Sequence, residues 1–322
     1  MKVAVVYVLL LLTLGCSSNE TFDPGTDSAS EQGLFENRAI SISGETRTYH
    51  LYLPENPLNA PVVMLLHGNK SNNDEILGLT NVTAPYKIWL NIAEQENIIL
   101  VVPNGSKGST GDNGWNDCRS DSQGNPTSND VLFASTLIDF VLTEYQANPD
   151  RVFVMGTSNG GQMAFRLAQE LPEKLTAFAA IAAAKPLNTK CANGTTPISA
   201  LIVNGTADPI LPYEGGTMLG NRGEVHSAAE TVQYWINRNS TETTPITSAI
   251  EDTDTTDNCT ITKYLYHNGT NNTEVAFYEV LGGGHTEPSK AERYGSLFKL
   301  AVKEQNGDIE IAHEVWKFFD RK

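Results

Sequence analysis

The stretch VFVMGTSNGGQMA, residues 152–164, decides the fold of this 322-residue chain. It opens with an apolar run that is typical of a buried strand, and it closes with small residues at helical spacing. Between them, the Gly-x-Ser-x-Gly pattern of residues 156–160 predicts a tight turn with Ser158 at its apex. The glycines at both ends of this turn let strand and helix approach each other closely. The sequence therefore predicts a strand, a turn and a helix that present the Ser158 hydroxyl above the carboxyl end of a sheet.

An acid and a base follow Ser158 at the ends of two further predicted strands. Asp208 lies just beyond the apolar run 198–203, and His285 follows the three glycines 282–284 after the last predicted strand. A histidine in this role takes the proton of the attacking serine hydroxyl, while an aspartate fixes the imidazole tautomer. The chain order Ser, Asp, His is that of α/β-hydrolases. We therefore expect an α/β-hydrolase fold, with a mostly parallel central sheet flanked by helices.

Two of these residues also have a purely structural interpretation. Ser158 could lie in an ordinary loop that matches the pattern by chance, and Asp208 could close an Asx-turn before Pro209. The placement of all three residues at predicted strand ends, in the hydrolase order, favours catalysis.

Backbone N–H groups at two positions are predicted to stabilise an oxyanion. The apolar run 61–66 predicts a buried strand that ends in His67, Gly68 and Asn69. An α/β-hydrolase takes one oxyanion donor from such a loop and the other from the residue after the nucleophile. Asn69 and Asn159 are therefore the predicted donors. His67 is a second candidate base, although ordering this loop is its expected role.

A long polar segment, residues 104–129, separates a predicted strand from a predicted helix. It is rich in Gly, Ser, Asn and Asp, and a loop of this length in a compact domain is usually functional or disordered. Trp115 and Cys118 within it favour order. We expect the segment to form one wall of the binding cleft with Trp115 at the substrate; the alternative is that Trp115 anchors the loop in the core.

The N-terminus predicts export. Residues 1–16 combine Lys2 with a short apolar run and end in Cys16, like a signal peptide with a lipobox, although Thr13 stands where an aliphatic residue is usual. Acylation of Cys16 would give a periplasmic or outer-surface bacterial lipoprotein, and ordinary cleavage would give a freely secreted protein. We expect residues 17–36 to be a flexible polar tether and residues 37–322 to be the catalytic domain.

Charge restricts the partners of the chain. It carries 22 Lys and Arg against 38 Asp and Glu, a formal net charge of −16 at pH 7. Such a chain repels nucleic-acid phosphates and anionic membrane surfaces. We therefore expect no nucleic-acid partner, and membrane attachment only through a lipid on Cys16.

The cysteines predict one disulfide. If Cys16 carries a lipid, Cys118, Cys191 and Cys259 remain in an oxidising compartment. We expect Cys118 to pair with Cys191, since both are predicted to lie in loops above the carboxyl edge of the sheet, although spacing alone leaves the connectivity open. The Cys and His spacings do not match a metal site, and the chemistry needs no cofactor.

Together, the motifs resemble those of one esterase family. They are Leu66-His67-Gly68, Gly114-Trp115-Asn116, residues 156–161, residues 205–209 with Pro212-Tyr213 and Gly215-Gly216, and Gly283-Gly284-His285-Thr286. From Thr48 onward the chain resembles secreted esterases of the polyhydroxybutyrate depolymerase and feruloyl esterase type, carbohydrate esterase family 1. The resemblance implies a serine carboxylesterase that acts outside the cell on hydroxycinnamoyl or acetyl esters of polysaccharides, on small aryl esters, or on a polyester.

The resemblance also indicates which side chains border the substrate. These are His67, Trp115, Tyr213 and Glu287, the last at a position where family members tend to have Trp. Alternatives remain open: a polyester depolymerase, a serine peptidase or lipase of the same fold, and a glycan-binding surface protein on the same scaffold.

Overall fold

The computed structural model describes residues 32–322. The predicted signal peptide, the lipidation site at Cys16 and most of the predicted tether lie outside the described residues. The end of the tether is corrected, because strand β1 already begins at Gly33 and its first residues pair with residues 51–53. Residues 33–36 therefore belong to the fold and not to a linker.

Strands and helices alternate through most of the chain. The strands are β1 (Gly33–Ile42), β2 (Glu45–Leu53), β3 (Val62–Leu66), β4 (Ile99–Pro103), β5 (Ser106–Lys107), β6 (Asn113–Gly114), β7 (Val152–Thr157), β8 (Ala177–Ile181), β9 (Ser199–Gly205), β10 (Gly216–Thr217), β11 (Glu224–Val225), β12 (Ile246–Ala249), β13 (Thr260–Tyr266) and β14 (Val275–Leu281). The helices are α1 (Asn73–Ile76), α2 (Trp89–Glu96), α3 (Asp130–Glu144), α4 (Asn159–Glu170), α5 (Ala228–Asn239), α6 (Ser296–Val302) and α7 (Ile311–Phe319), with 3-10 turns at Pro85–Ile88 and Thr270–Asn272.

One 10-stranded sheet organises the molecule, in the order β1-β2-β4-β3-β7-β8-β9-β14-β13-β12. Every neighbouring pair from β4 across to β14 is parallel, and the pairs at both edges are antiparallel. Since the carboxyl ends of parallel strands share one edge of a sheet, the loops after β3, β7, β9 and β14 meet there. The predicted mostly parallel α/β sheet is confirmed.

Two hydrophobic layers enclose the sheet. In β7, Val152 and Val154 face a core shared with α3, α4 and α5, while Phe153 and Met155 face a second core with α2 and α7. Phe153 stacks on Phe319 of α7 with ring centroids 4.6 Å apart. Because both faces of β7 are covered, its sequence is a continuous apolar run instead of an alternating one.

The Thr-rich composition of residues 240–258 predicts an exposed connector, and this prediction is wrong in part. The segment contains edge strand β12, whose four residues are all exposed and which pairs antiparallel with β13. The strand has no buried face, so its sequence lacks the alternation that identifies a half-buried strand. Within residues 32–322, none of the helices has the length and apolarity needed to span a bilayer.

Candidate active site

The turn between β7 and α4 holds Ser158 in an unusual backbone conformation, with φ +54° and ψ −119°. A positive φ costs energy for a residue with a side chain, and it persists only where the surroundings enforce it. Here the Ser158 N–H donates to the carbonyl of Ile181 at 2.8 Å, and the Ser158 carbonyl accepts from the Gln162 N–H at 2.9 Å. The strand–turn–helix predicted from the sequence is present.

Close packing explains the glycines of this turn. A Cβ added at Gly156 would overlap the main chain of Gly160, and one at Gly160 would overlap the carbonyl of Leu66 in β3. Neither position accommodates a side chain without moving backbone. The glycines thus bring β3, with the loop that follows it, against the turn that carries Ser158.

The structure brings the three predicted catalytic side chains together. His285 Nε2 lies 2.8 Å from Ser158 Oγ, and His285 Nδ1 lies 2.7 Å from Asp208 Oδ2. The other Asp208 oxygen accepts the N–H groups of Ile210 and Leu211, both at 2.8 Å. A carboxylate accepts at Nδ1, so Nδ1 carries the ring proton and Nε2 is free to accept the serine proton. This is the arrangement that general-base activation of a serine requires.

The three glycines before His285 predict a flexible loop, and this prediction is wrong because backbone hydrogen bonds hold the loop. The His285 N–H donates to the carbonyl of Val302 at 2.7 Å, and the Gly284 N–H donates to the carbonyl of Glu304 at 2.8 Å. A Cβ at Gly284 would overlap the Val302 carbonyl. These glycines therefore provide space for two backbones in contact, and the imidazole is held in place.

His67 is fully buried and orders the loop after β3. Its Nε2 accepts the Gly105 N–H at 2.9 Å, so its Nδ1 is protonated and donates to the carbonyl of Gly68 at 2.7 Å. Burial lowers the pKa of His67 from its usual 6.5 to about 4, which keeps the ring neutral. In a trans peptide the C=O and the following N–H point in opposite directions. The Asn69 N–H is therefore directed away from His67, and Asn69 lines the same cavity as Ser158.

Asn159 connects the nucleophile turn with the long loop 104–129. Its backbone N–H is the first of α4 and has no partner within the helix, as at any helix start. Its side chain accepts the Trp115 N–H at 2.7 Å and donates to Asp117 at 2.7 Å. The side chain thus fixes the loop while the backbone N–H keeps the position of a candidate oxyanion donor.

The structure corrects three of the predicted substrate contacts. Trp115 is 1% exposed, and its indole N–H donates to the carbonyl of His67 at 2.8 Å. His67 itself is buried, and the Tyr213 hydroxyl donates to Glu279 at 2.6 Å. None of the three is among the described residues that line the cavity at Ser158. Trp115 anchors its loop in the core, because the indole N–H, the only polar group of its side chain, is hydrogen-bonded to the loop after β3.

A cavity of about 420 Å³ opens beside Ser158 and His285. Glu287 lines it and is 8% exposed. It accepts hydrogen bonds from Thr157 and, at 2.5 Å, from the Tyr294 hydroxyl. Burial and the nearby Glu287 charge raise the pKa of Tyr294, so its phenol stays protonated and donates. The cavity therefore contains a fixed carboxylate and phenol where the resemblance suggested an aromatic platform.

Some lining residues were not predicted. Tyr86, Arg222, Tyr294 and Phe298 reach the cavity from segments far apart in sequence. They match no motif and follow no predicted strand, so only the packing of these segments around the cavity reveals them.

The predicted disulfide between Cys118 and Cys191 is present, with their Cα atoms 5.2 Å apart. It joins the loop 104–129 to the segment that follows β8. Glu170 lies close to both sulfur atoms, but sulfurs joined in a disulfide offer no thiolate to a metal. Cys259 is a free thiol, and burial raises its pKa to about 12.

Comparison with known proteins agrees with this geometry. The model of the Esterase family, described as "Putative esterase", matches residues 40–285. The bifunctional acetylxylan esterase/xylanase XynS20E of Neocallimastix patriciarum is 28% identical over 200 residues, 61% of this chain and 27% of that protein. The "Probable feruloyl esterase C" of Aspergillus niger is 26% identical over 220 residues, 67% of this chain and 73% of that protein.

The chain spans half or less of the length of three of its curated relatives. Among solved structures, an acetyl xylan esterase from Aspergillus awamori superposes with a TM-score of 0.52 at 16% identity, covering 84% of this chain and 98% of that one. This likeness supports the fold. The family match covers most of the chain and includes the positions of Ser158, Asp208 and His285, so the chain belongs to the esterase family.

Proposed function

We propose that the chain is a serine carboxylesterase that cleaves feruloyl or acetyl esters carried by polysaccharides, through a Ser158–His285–Asp208 triad. The observation that carries this proposal is the position of His285, within hydrogen-bonding distance of both Ser158 and Asp208 at the mouth of one cavity. A triad alone would suit several acyl-transfer reactions. The family assignment supports an ester as the substrate.

Each step of the reaction uses groups already in position. His285 Nε2 takes the proton of Ser158 Oγ as that oxygen attacks the ester carbonyl, and the Asn69 and Asn159 N–H groups stabilise the oxyanion. The protonated imidazole, paired with Asp208, gives its proton to the leaving alkoxide, and the C–O bond breaks. Water then attacks the acyl-enzyme with His285 again as base, releasing the acid and restoring Ser158.

The substrate class rests on the relatives and on the cavity. Relatives named as acetylxylan and feruloyl esterases align with 61% and 67% of this chain. A cavity of about 420 Å³ falls within the range of roughly 300 to 1,000 Å³ that is usual for small-molecule sites. It is large enough for an acyl group together with part of the sugar that carries it.

The test compares the wild-type protein with Ser158→Ala on methyl ferulate, acetylated xylan, polyhydroxybutyrate and short 4-nitrophenyl esters. We expect wild-type kcat/KM to be highest on the feruloyl or acetyl sugar ester, and the variant to be inactive on every substrate. A preference for polyhydroxybutyrate would support the polyester alternative. Full activity of the variant would exclude the triad.

We also propose that the protein works outside the cytoplasm, attached by a lipid on Cys16. The Cys118–Cys191 disulfide supports an oxidising compartment. In a bacterial host we expect the full-length protein in the membrane fraction and Cys16→Ser outside it. Equal recovery of both proteins in the soluble fraction would favour ordinary secretion.

A further inference from the structure

Arg222 is a charged residue that reaches the catalytic cavity. It lines the same cavity as Ser158 and His285 and is half-buried. Among residues 32–322, its guanidinium makes neither a hydrogen bond nor an ion pair. A guanidinium has five N–H donors in a fixed fork, and no Arg222 nitrogen is among the buried polar atoms that lack a partner, so these donors stay accessible in the cavity. The free donors of Arg222 therefore offer a binding position for an anion.

Other cations near the cavity are already engaged. Arg119 is buried and bonds Asp117 through its Nε and Nη2 atoms. Lys70 also lines the cavity, and its Nζ atom lies 3.5 Å from Asp112 Oδ2. Burial and the neighbouring Arg119 charge lower the pKa of Arg222, while the Asp112 carboxylate, which is too far away for an ion pair, raises it. Arg222 is thus a cation left available in a cavity whose other positive groups have carboxylate partners.

Hydrogen bonds hold the main chain of the loop that carries Arg222. This loop connects β10 to β11, and three of its residues, Gly220, Asn221 and Gly223, have positive φ values of 76°, 55° and 94°. The Arg222 carbonyl accepts a hydrogen bond of 2.7 Å from Arg119 Nη1. The turn therefore holds the main chain of Arg222 in one position while its side chain extends into the cavity.

A series of side-chain contacts connects the Arg222 loop to the nucleophile turn. Asn159 donates to Asp117 at 2.7 Å, Asp117 pairs with Arg119, and Arg119 holds the Arg222 carbonyl. Cys118, between Asp117 and Arg119, is fixed by the disulfide to Cys191. Binding groups that are already in place lose little entropy when a ligand arrives, so this chain of contacts prepares Arg222 for substrate.

We propose that Arg222 is a substrate-binding residue that selects esters bearing an anionic group close to the ester bond, a carboxylate in particular. The planar fork of a guanidinium matches a carboxylate in two parallel hydrogen bonds. A uronic-acid residue next to the esterified sugar has this chemistry, and a sulfated sugar is the other source of a suitable anion. The inference rests on the proposed esterase function.

Negative charges in the cavity restrict where an anionic group of the substrate can bind. Glu75 and Glu287 also line the cavity, and the whole chain carries −16. An anionic group placed near either glutamate is repelled, whereas one placed on the Arg222 guanidinium is attracted. An anionic substrate therefore gains affinity when its charge lies on the guanidinium. Neutral esters do not need this contact.

The experiment compares matched esters that differ only in charge. 4-Acetoxybenzoate against 4-acetoxybenzamide places the anion on the alcohol side, and monomethyl adipate against its monoamide, methyl 5-carbamoylpentanoate, places it on the acyl side. For Arg222→Gln we expect kcat/KM to fall about 10- to 100-fold on the anionic member of one pair, as for loss of a charge-assisted bidentate contact. On the neutral members we expect a change of less than about 2-fold.

Two further variants sharpen the result. Arg222→Lys keeps the charge but not the fork, so we expect an intermediate loss. Lys107→Gln removes one positive charge from an exposed residue that does not line the cavity, and it should leave both pairs unchanged. 4-Acetoxybenzenesulfonate distinguishes the two anions: a smaller effect of Arg222→Gln on it than on the benzoate would identify a carboxylate site.

Equal losses on charged and neutral esters, or unchanged kinetics on both pairs, would overturn the proposal. Calorimetric binding of glucuronate to Ser158→Ala gives a readout that does not depend on hydrolysis. We expect binding to be lost in the double variant with Arg222→Gln. If wild-type protein cleaves none of the esters while Ser158→Ala binds glucuronate through Arg222, the proposed function fails and the anion site stands.

Discussion

At the residue scale, the main result is that Asp208 and His67, two polar residues near Ser158, have fixed hydrogen-bond partners. Asp208 uses one oxygen for His285 and the other for two backbone N–H groups, so its carboxylate cannot turn. His67 uses both ring nitrogens on backbone partners. Fixed partners of this kind preorganise a site before substrate binds.

Asp208→Asn tests the role of the acid. An amide at this position offers its NH2 group to His285 Nδ1, which favours the tautomer with the proton on Nε2 and removes the acceptor for the serine proton. We expect kcat to fall by about 10⁴-fold with little change in KM. Steady-state kinetics on 4-nitrophenyl acetate measure this loss, and unchanged circular dichroism shows that the fold remains. A loss below about 10-fold would assign Asp208 to the Asx-turn alone.

His67 predicts a specific pH dependence of stability. Its pKa in the folded protein is about 4, below its usual 6.5, so between these values the unfolded chain binds more protons than the folded one. The free energy of unfolding therefore falls as pH falls from about 6.5 to 4, by at most about 3 kcal/mol from this group. This contribution is fully present above pH 6.5.

Urea denaturation at pH 7, 5.5 and 4.5 measures this effect, with His67→Gln as the control. Carboxylates titrate in the same range in both proteins, so the difference between wild type and variant isolates His67. We expect the wild type to lose more stability than the variant. Parallel curves would contradict a neutral, buried His67.

At the element scale, close approach of backbones decides where the functional loops lie. Gly156 and Gly160 bring β3 to the nucleophile turn, and a Cβ at Gly205 of β9 would overlap the main chain of Gly283 beside His285. These contacts hold the ends of β3, β7, β9 and β14 together. The glycines are thus part of the active-site architecture although none carries a functional group.

Gly160→Ala should therefore destabilise the protein and displace the candidate oxyanion donors. The added Cβ meets the main chain of Leu66, which cannot move without shifting β3. We expect a loss of about 2 kcal/mol or more in unfolding free energy, together with a fall in kcat. Gly295→Ala is the matched control, because its added Cβ has no neighbour within 4 Å. Similar melting temperatures for the two variants would show that the contact at Gly160 is unimportant.

Prediction from sequence located the elements and residues that a local sequence pattern marks. Ser158, Asp208 and His285 each follow an apolar run at a strand end, so pattern and chain order sufficed to place them. Trp115 was misplaced because an aromatic residue in a polar loop has the same sequence pattern whether it faces substrate or core. Edge strand β12 and the cavity residues Tyr86 and Arg222 had no local signal, because pairing with β13 and packing around the cavity define them.

At the scale of the whole molecule, the long loop 104–129 behaves as a fixed part of the domain. The disulfide joins it to the segment after β8, and Asn159 and Asp130 bind it from two helices. A cross-link of this kind limits the unfolded chain and also keeps the loop in register with the site.

Removing the disulfide should therefore affect both stability and activity. For Cys118→Ser with Cys191→Ser we expect a loss of about 2 to 5 kcal/mol in unfolding free energy, because the cross-link closes a span of 73 residues. We expect kcat to fall as well, since Asp117 and Arg119 flank Cys118. Thermal melting and ester hydrolysis are measured on both proteins, and Cys259→Ser is the control. A double variant with wild-type activity would show that the loop holds its position without the cross-link.

The central claim is that Ser158 is a nucleophile activated by His285, and covalent labelling tests it most directly. The wild-type protein is treated with a fluorophosphonate, and intact mass and peptide mass spectra are recorded beside those of Ser158→Ala and His285→Ala. The account predicts one adduct per chain, located on Ser158, none on Ser158→Ala, and labelling slowed by several orders of magnitude in His285→Ala. An adduct on another residue, or equal labelling of all three proteins, would contradict it.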